Sequence, residues 1–300
     1  SRTDMKFVTN LLEYVGPSLS RSVSQTMSVL DSIAWAEPEH ETLLGLNENC
    51  QFNAVGLIVA SKIPREEVLR TLGCLLSGGN LGGRRASAEA LAQFSEPQAT
   101  AMIVRALNDE DPHVRSHLLR QLRPRNIPGA MSLLIRMAGN SHEVVRSALK
   151  DSLPEFTIRQ FLINFDALPE EFRETTGHLV KEIDSDTEWT MREEMTCPSP
   201  VRRRRAILAS SAMGLTGKME QTVIGLLSDD DHMVRIAAAK SLSDVGTMPS
   251  WEALRDALLD RSVIVKETAE ESLRKISQAL LTDSEAEENA EEGTEQEMAR

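Results

Sequence analysis

Two stretches of this chain set acids, a histidine and an arginine at spacings that can do chemistry. They are "LNDEDPHVRSHLLRQL", from Leu107, and "LSDDDHMVRIAAAKSL", from Leu227. In the second, Asp229, Asp230, Asp231 and His232 are adjacent, and such groups can ligate a metal or trade a proton. In the first, His113 and His117 stand four apart, a helical spacing that can bind zinc, without the intervening glutamate of an HExxH site. His-Glu dipeptides occur at His40–Glu41 and His142–Glu143. "GGNLGGRRAS", from Gly78, has the glycines and arginines of a phosphate cradle. It lacks a preceding strand and a Lys-Ser/Thr ending, so a flexible turn between helices is the simpler expectation. Its "RRAS" sets Ser87 where a basic-directed kinase would act, but on a helix Ser87 reads as a small packing residue. "VRRRRA" carries Arg202, Arg203, Arg204 and Arg205 around a full helical turn, so at least two must face solvent.

The elements that position these groups emerge from a repeat. Arg115 and Arg146, each preceded by Val, are 31 residues apart, and a step of 31 back from Arg115 lands on Arg84. Arg235 recurs in the same setting, and 31 residues beyond it is Lys266. Seven residues after these five anchors stand Leu91, Leu122, Leu153, Leu242 and Leu273, two helical turns on and on the same face. Between anchors run further amphipathic segments such as "PQATAMIVRALND" and "MEQTVIGLLSD". Each unit is therefore a helix A, a tight turn, a helix B and a short loop. One hairpin cannot bury its apolar face alone, but stacked hairpins can. The expected fold is all-α, an α-solenoid of about nine antiparallel helix pairs. The frame is degenerate over 1–79, regular over 80–153, irregular over 154–200 and regular again over 201–279. Any of Arg202 to Arg205 fits as the anchor of its unit. Residues 280–300 form an acidic tail expected to be disordered.

The acids then acquire positions. Six residues before the anchors stand Asp109, Asn140, Asp229 and Asp260, in the A–B turn. An Asp there can reach the anchor arginine of its own or the next repeat. Four before them, Asp111, Asp231 and Ser262 are natural N-caps of helix B. "LNDEDPHVRSHLLRQL", "LSDDDHMVRIAAAKSLSDVG" and "LLDRSVIVKETAEESL" resemble HEAT repeats, especially the bacterial subgroup first noted in phycobilisome lyases. The resemblance implies a right-handed solenoid whose turn Asp and helix-B Arg form a ladder along the stack. Carried onto this chain, the rungs are Asp109/Arg115, Asn140/Arg146, Asp229/Arg235 and Asp260/Lys266. The residue six before Arg84 is Gly78, so that rung is expected to be missing. Di-iron hydroxylases of this fold set several His-Glu dipeptides across the stack, and two at non-equivalent positions fall short of that.

Composition narrows the function. Aromatic residues are 4% of the chain, which disfavours sandwiches and barrels. Three cysteines, Cys50, Cys74 and Cys197, make neither a metal knuckle nor a redox pair and fit a reducing, cytoplasmic compartment. The longest apolar run, "AVGLIVA", is too short to span a bilayer. Residues 283–300 carry −7 of the net −13, and a body at −6 argues against general nucleic-acid binding. With no nucleophile–base pair, cofactor loop or metal cluster standing out, the expectation is a non-enzymatic scaffold or adaptor without cofactors. Its partner is expected to be a protein, presenting an acidic or extended segment. The surface expected to bind it is the concave helix-B face, with Arg120, Arg123, Ile236 and Lys240, together with Arg202, Arg203, Arg204 and Arg205. Two rivals remain: a bilin lyase-like or chaperone-like subunit, implied by the resemblance, and a regulatory cytosolic domain of a larger, membrane-bound protein. The start at Ser1 rather than Met fits the second.

Overall fold

Helices begin where a side chain can accept the free N–H groups of a first turn, and this sequence supplies such caps repeatedly. The computed structural model describes residues 4–37 and 41–279, among which lie eighteen α-helices and no strand. The chain divides into two compact units, Ser1–Leu153 and Pro154–Arg300. His40 and the acidic stretch 280–300 lie outside the described residues.

The first unit opens with α1 (Met5–Val15), α2 (Arg21–Met27), the short α3 (Glu41–Gly45) and α4 (Glu48–Ala60). Regular hairpins follow: α5 (Arg65–Gly78) with α6 (Leu81–Ala90), α7 (Pro97–Ala106) with α8 (Pro112–Leu122), and α9 (Ala130–Arg136) with α10 (Glu143–Ser152). The B helices form one layer, α4 on α6, α6 on α8 and α8 on α10, while α5 packs on α7 in the other.

The second unit continues the pattern. Its hairpins are α11 (Ile158–Asn164) with α12 (Glu170–Ile183), α13 (Thr187–Thr196) with α14 (Pro200–Ala212), α15 (Glu220–Gly225) with α16 (His232–Leu242), and α17 (Met248–Ala257) with α18, over 263–279. Its A layer runs α11, α13, α15, α17, and in its B layer α14 packs on both α12 and α16. This is the α-solenoid architecture that the repeat demands. Segment 154–200, where the sequence frame slips, still folds into hairpins. Buried Asp184, at the end of α12, accepts the N–H of Ile158 at 3.0 Å and so ties the start of α11 to it.

Burial follows the anchor-plus-seven rule. Leu91, Leu122, Leu153 and Leu242 are fully buried, and Leu273 packs partly buried against the second unit's core. In that core Phe161 and Phe165 meet edge to face at 5.5 Å between ring centroids. The period also appears in the polar contacts. Arg65 bonds Glu96, Arg120 bonds Asp151, Arg261 bonds the carbonyl of Asp230, and Lys275 bonds Asp244, each pair 31 residues apart.

The glycine stretch is neither a flexible turn nor a cradle. Gly82 and Gly83 lie in the first turn of α6, buried against α4. A Cβ on Gly82 would collide with the carbonyl oxygen of Glu48, and one on Gly83 with Oε1 of Gln51. Buried Gln51 holds that place because its Nε2 donates to the carbonyls of Leu43 and Leu44, both at 3.1 Å, and its Oε1 accepts the N–H of Asn80 at 2.9 Å. The N–H groups a phosphate would need are already engaged, that of Gly83 by Oδ1 of Asn80 at 3.2 Å. The glycines thus let two helices approach closely. Ser87, on the same helix, is fully buried, as a packing residue must be. Gly83→Ala is expected to destabilise the fold by about 1–3 kcal/mol through overpacking. Gly225→Ala, where an added methyl meets nothing, should not lower stability. Urea unfolding midpoints of the two variants check this.

Candidate functional site

In the turn between helix A and helix B two backbone carbonyls lie outside the helical ladder, and the anchor arginine supplies their donors. Nη1 of Arg115 donates to the carbonyls of Asp109 at 2.6 Å and Glu110 at 3.1 Å. Arg146 does the same for Asn140 and Ser141, at 2.9 and 3.0 Å, and Arg235 for Asp229 and Asp230, at 2.8 and 3.1 Å. Arg203 donates to Cys197 and Pro198, both at 2.9 Å, which makes it the anchor of its repeat.

The other edge of the guanidinium meets the following hairpin. Nε and Nη2 of Arg235 donate to both carboxylate oxygens of Asp260, at 2.8 and 3.0 Å. Arg203 holds Asp229 in the same way, at 2.7 and 2.8 Å, and Nε of Arg84 lies 3.1 Å from Asp109. In each of these turns, Oδ1 of the Asp also accepts the N–H two residues on, at Asp111, Asp231 and Ser262. This corrects the expected ladder. Asp109, Asp229 and Asp260 give Arg115, Arg235 and Lys266 no carboxylate. Their carboxylates face the anchor of the preceding repeat, so the rung at Arg84 exists. Within a repeat the link to Arg115 and Arg235 is through carbonyls alone. Lys266 has no side-chain partner among the described residues. At Asn140 the amide replaces the carboxylate, and Nε of Arg115 is left buried without a partner.

Burial by itself would raise the pKa of Asp229, but the hydrogen bonds from Arg203 and the N–H of Asp231, with the charges of Arg203 and Arg235, together outweigh it and the net shift is downward. Asp260 is lowered mainly by its bonds from Arg235. Asp111 has an extra rung. Arg85 grips it at 2.9 and 2.6 Å while it caps α8, accepting from His113 and Val114. The bond from Arg85 is the main reason its pKa falls to about 2.

The groups that invited catalysis are therefore dispersed. Asp229 joins the anchor of the preceding repeat, Asp231 caps α16, and Asp230 and His232 are exposed. His113 is exposed, and His117 is half-buried, with burial lowering its pKa. His142 starts α10, and Glu143 pairs with Arg146. Among the described residues no group of three His, Cys, Asp or Glu is placed to hold a metal ion.

The four arginines separate as well. Arg202 pairs with Glu194 and Arg205 with Asp166, while Arg203 is the anchor. Arg204 has no side-chain partner among the described residues. Arg120 pairs with Asp151, and Arg123 donates to the carbonyl of Ser152 at 2.8 Å. Ser116, on the same helix as Arg120, is buried. Ile236 and Lys240 line a groove of about 750 Å³ across α12, α14, α16 and α18. Phe165, Leu208 and Ile236 give it apolar surface, and Lys240, Glu271 and Arg274 give it both charges. Burial raises and Lys275 lowers the pKa of Asp244 on its wall, with a net lowering.

A family model described as HEAT repeats matches residues 69–154 and 190–274. The chain belongs to the HEAT-repeat family. The match does not single out the phycobilisome-lyase subgroup. No curated protein matches the chain. Among solved structures it is similar to human deoxyhypusine hydroxylase in complex with glycerol, at 14% identity and TM-score 0.31, covering 91% of this chain and 98% of that one. Two engineered proteins are similar at 17% identity and TM-score 0.31, covering 70% and 96% of the two chains, and at 13% identity and TM-score 0.29, covering 90% and 98%.

Within this HEAT frame, sequence reasoning missed the direction of the rungs, the Arg85–Asp111 pair, and Phe165 and Leu208 in the groove. A signal for the rungs existed. Arg84 to Asp109, Arg203 to Asp229 and Arg235 to Asp260 are separated by 25, 26 and 25 residues.

Two predictions follow from the rungs. Asn140→Asp gives Arg115 a carboxylate and is expected to stabilise the HEAT array by about 1 kcal/mol. Asp229→Asn leaves the half-buried Arg203 uncompensated and should cost about 2 kcal/mol. Opposite shifts of the urea midpoint check the pair. The second concerns acid. Because the folded pKa of Asp111 lies below the ordinary 3.8, its contribution is complete above that pH and is lost as pH falls toward 2. Arg85→Gln should remove about 2 kcal/mol at neutral pH and leave stability at pH 2 nearly unchanged. Urea unfolding at the two pH values measures it.

Proposed function

We propose that the chain is a protein-binding scaffold without catalytic activity of its own, and that the B-helix groove of its second unit holds a partner segment. The observation that carries this reading is the groove itself. HEAT repeats commonly mediate protein interactions, and here four successive B helices line one continuous depression of about 750 Å³. Ile236 offers apolar surface, and Lys240 has no ion-pair partner among the described residues. The nearby acids and bases are mutually paired in part, Asp244 with Lys275 and Arg274 with Glu270. A segment that carries both charges around an apolar residue suits this lining better than a purely acidic one.

The arginine run contributes less than its sequence suggests. Arg202, Arg203 and Arg205 are held by carboxylates of the fold, and a partner would have to displace them. Arg204 is the member left for a partner in this reading. No described helix is long and apolar enough to cross a membrane.

The test is photo-crosslinking from position 240, with partners identified by mass spectrometry. Ile236→Asp is then expected to weaken capture by about tenfold or more, as loss of a central apolar contact does. Arg202→Ser should change it little. Undiminished capture of the same partners by Ile236→Asp would overturn the groove as the binding surface.

A further inference from the structure

A second surface lies in the first unit and does not depend on the groove just described. On α4 and α6, a furrow of about 370 Å³ has Phe52, Val55, Val59, Ala86 and Ala90 as its apolar lining and Glu89 and Gln93 as its polar lining. Beside it, between α6 and α8, is a pocket of about 580 Å³ lined by His117, Arg120, Gln121 and Arg125, with Ala92 and Pro124. Glu89 lines both, so the two adjoin at this residue.

Arg125 is the unusual member. Its Nη2 donates to the carbonyl of Leu91 and to Oε1 of Gln121, the latter at 3.2 Å. No carboxylate lies within ion-pair distance of it among the described residues. Arg84, Arg85 and Arg146, half-buried like it, each have one, whereas Arg115 shares its lack of one. Burial lowers its pKa, opposed in part by the charge of Glu96, which lies beyond ion-pair distance. Its cavity also holds Arg120, whose one acid, Asp151, is itself largely exposed.

We infer that this surface takes an extended acidic peptide, with an aliphatic side chain seated beside Val55, Val59 and Ala90 and a carboxylate against Arg125. Charge complementarity selects the occupant. A half-buried guanidinium gains most from a carboxylate that can be desolvated with it. The adjoining apolar furrow gives a peptide a second anchor that a phosphodiester backbone would not fill. Glu89, exposed between the two, can accept a peptide N–H but repels a carboxylate and a phosphate alike, so it sets the affinity and not the choice of occupant.

The experiment uses the full chain and fluorescence anisotropy. The probes are labelled Leu-Leu-Asp-Glu-Leu-Asp, its amide counterpart Leu-Leu-Asn-Gln-Leu-Asn, and a short single-stranded DNA. The acidic peptide is expected to bind at least about tenfold more tightly than the amide one. Arg125→Gln should abolish that difference, and Glu89→Gln should tighten the acidic peptide several-fold. Because Glu89 is exposed, its variant keeps the test valid even if Arg125→Gln unfolds. Ile236→Asp, in the other unit, should leave binding unchanged. Equal binding of the two peptides, no binding up to about 1 mM, tighter binding of the DNA, or an unchanged affinity in Glu89→Gln would overturn the proposal.

Discussion

Everything regular in this protein depends on one planar cation per repeat. The anchor guanidinium satisfies two carbonyls of its own A–B turn and grips the aspartate of the next turn, as Arg203 and Arg235 do in full. It thereby joins the closing of a hairpin to the docking of its neighbour. A lysine ammonium has no flat fork with which to do both. Lys266 stands at the last anchor, where no described hairpin follows with an aspartate to receive it.

The same bonding explains why a cluster that looked catalytic is not one. A metal or a proton relay needs its acids unengaged and convergent. Asp229 and Asp231 are two residues apart but face different tasks, one toward Arg203 of the preceding hairpin and one toward the N–H groups of α16. The arginines lose their collective character for the same reason. Adjacent positions on a helix point in different directions, so Arg202, Arg203 and Arg205 meet three separate carboxylates. Incompletely matched charge lies instead in the grooves, beside apolar lining such as Phe165, Leu208 and Ile236.

Much of the fold was legible because a stacked array must repeat its buried leucines. Leu91, Leu122, Leu153 and Leu242 mark core positions in sequence and in space. The register near residue 200 was not legible. Seven residues after Arg203 stands Ser210, fully buried with its hydroxyl bonded to the carbonyl of Ile207, and six before stands Cys197. The unit thus lacks both the leucine and the aspartate by which the others are recognised. The direction of the rungs was hidden for another reason. Sequence offsets within a repeat are short and conspicuous, whereas the carboxylate contacts span 25 or 26 residues. The close approach of α4 and α6 was invisible because nothing local says that Gly82 and Gly83 face another helix. The grooves were only partly foreseen: Ile236 and Lys240 follow from helical phase, but Arg125 lies beyond the end of α8, where phase gives no guidance.

The turn at Asn140 gives the first unit a seam. In a stack bound by nearest neighbours, opening begins where the joint between successive hairpins is weakest. Between α8 and α10 the aliphatic contacts persist, but Arg115 has no carboxylate to grasp across the joint. Arg120 with Asp151 and Arg123 with the carbonyl of Ser152 still tie α8 to α10, so the joint loses one rung and keeps its other ties. An asparagine in place of an aspartate gives an otherwise uniform array a preferred place to yield.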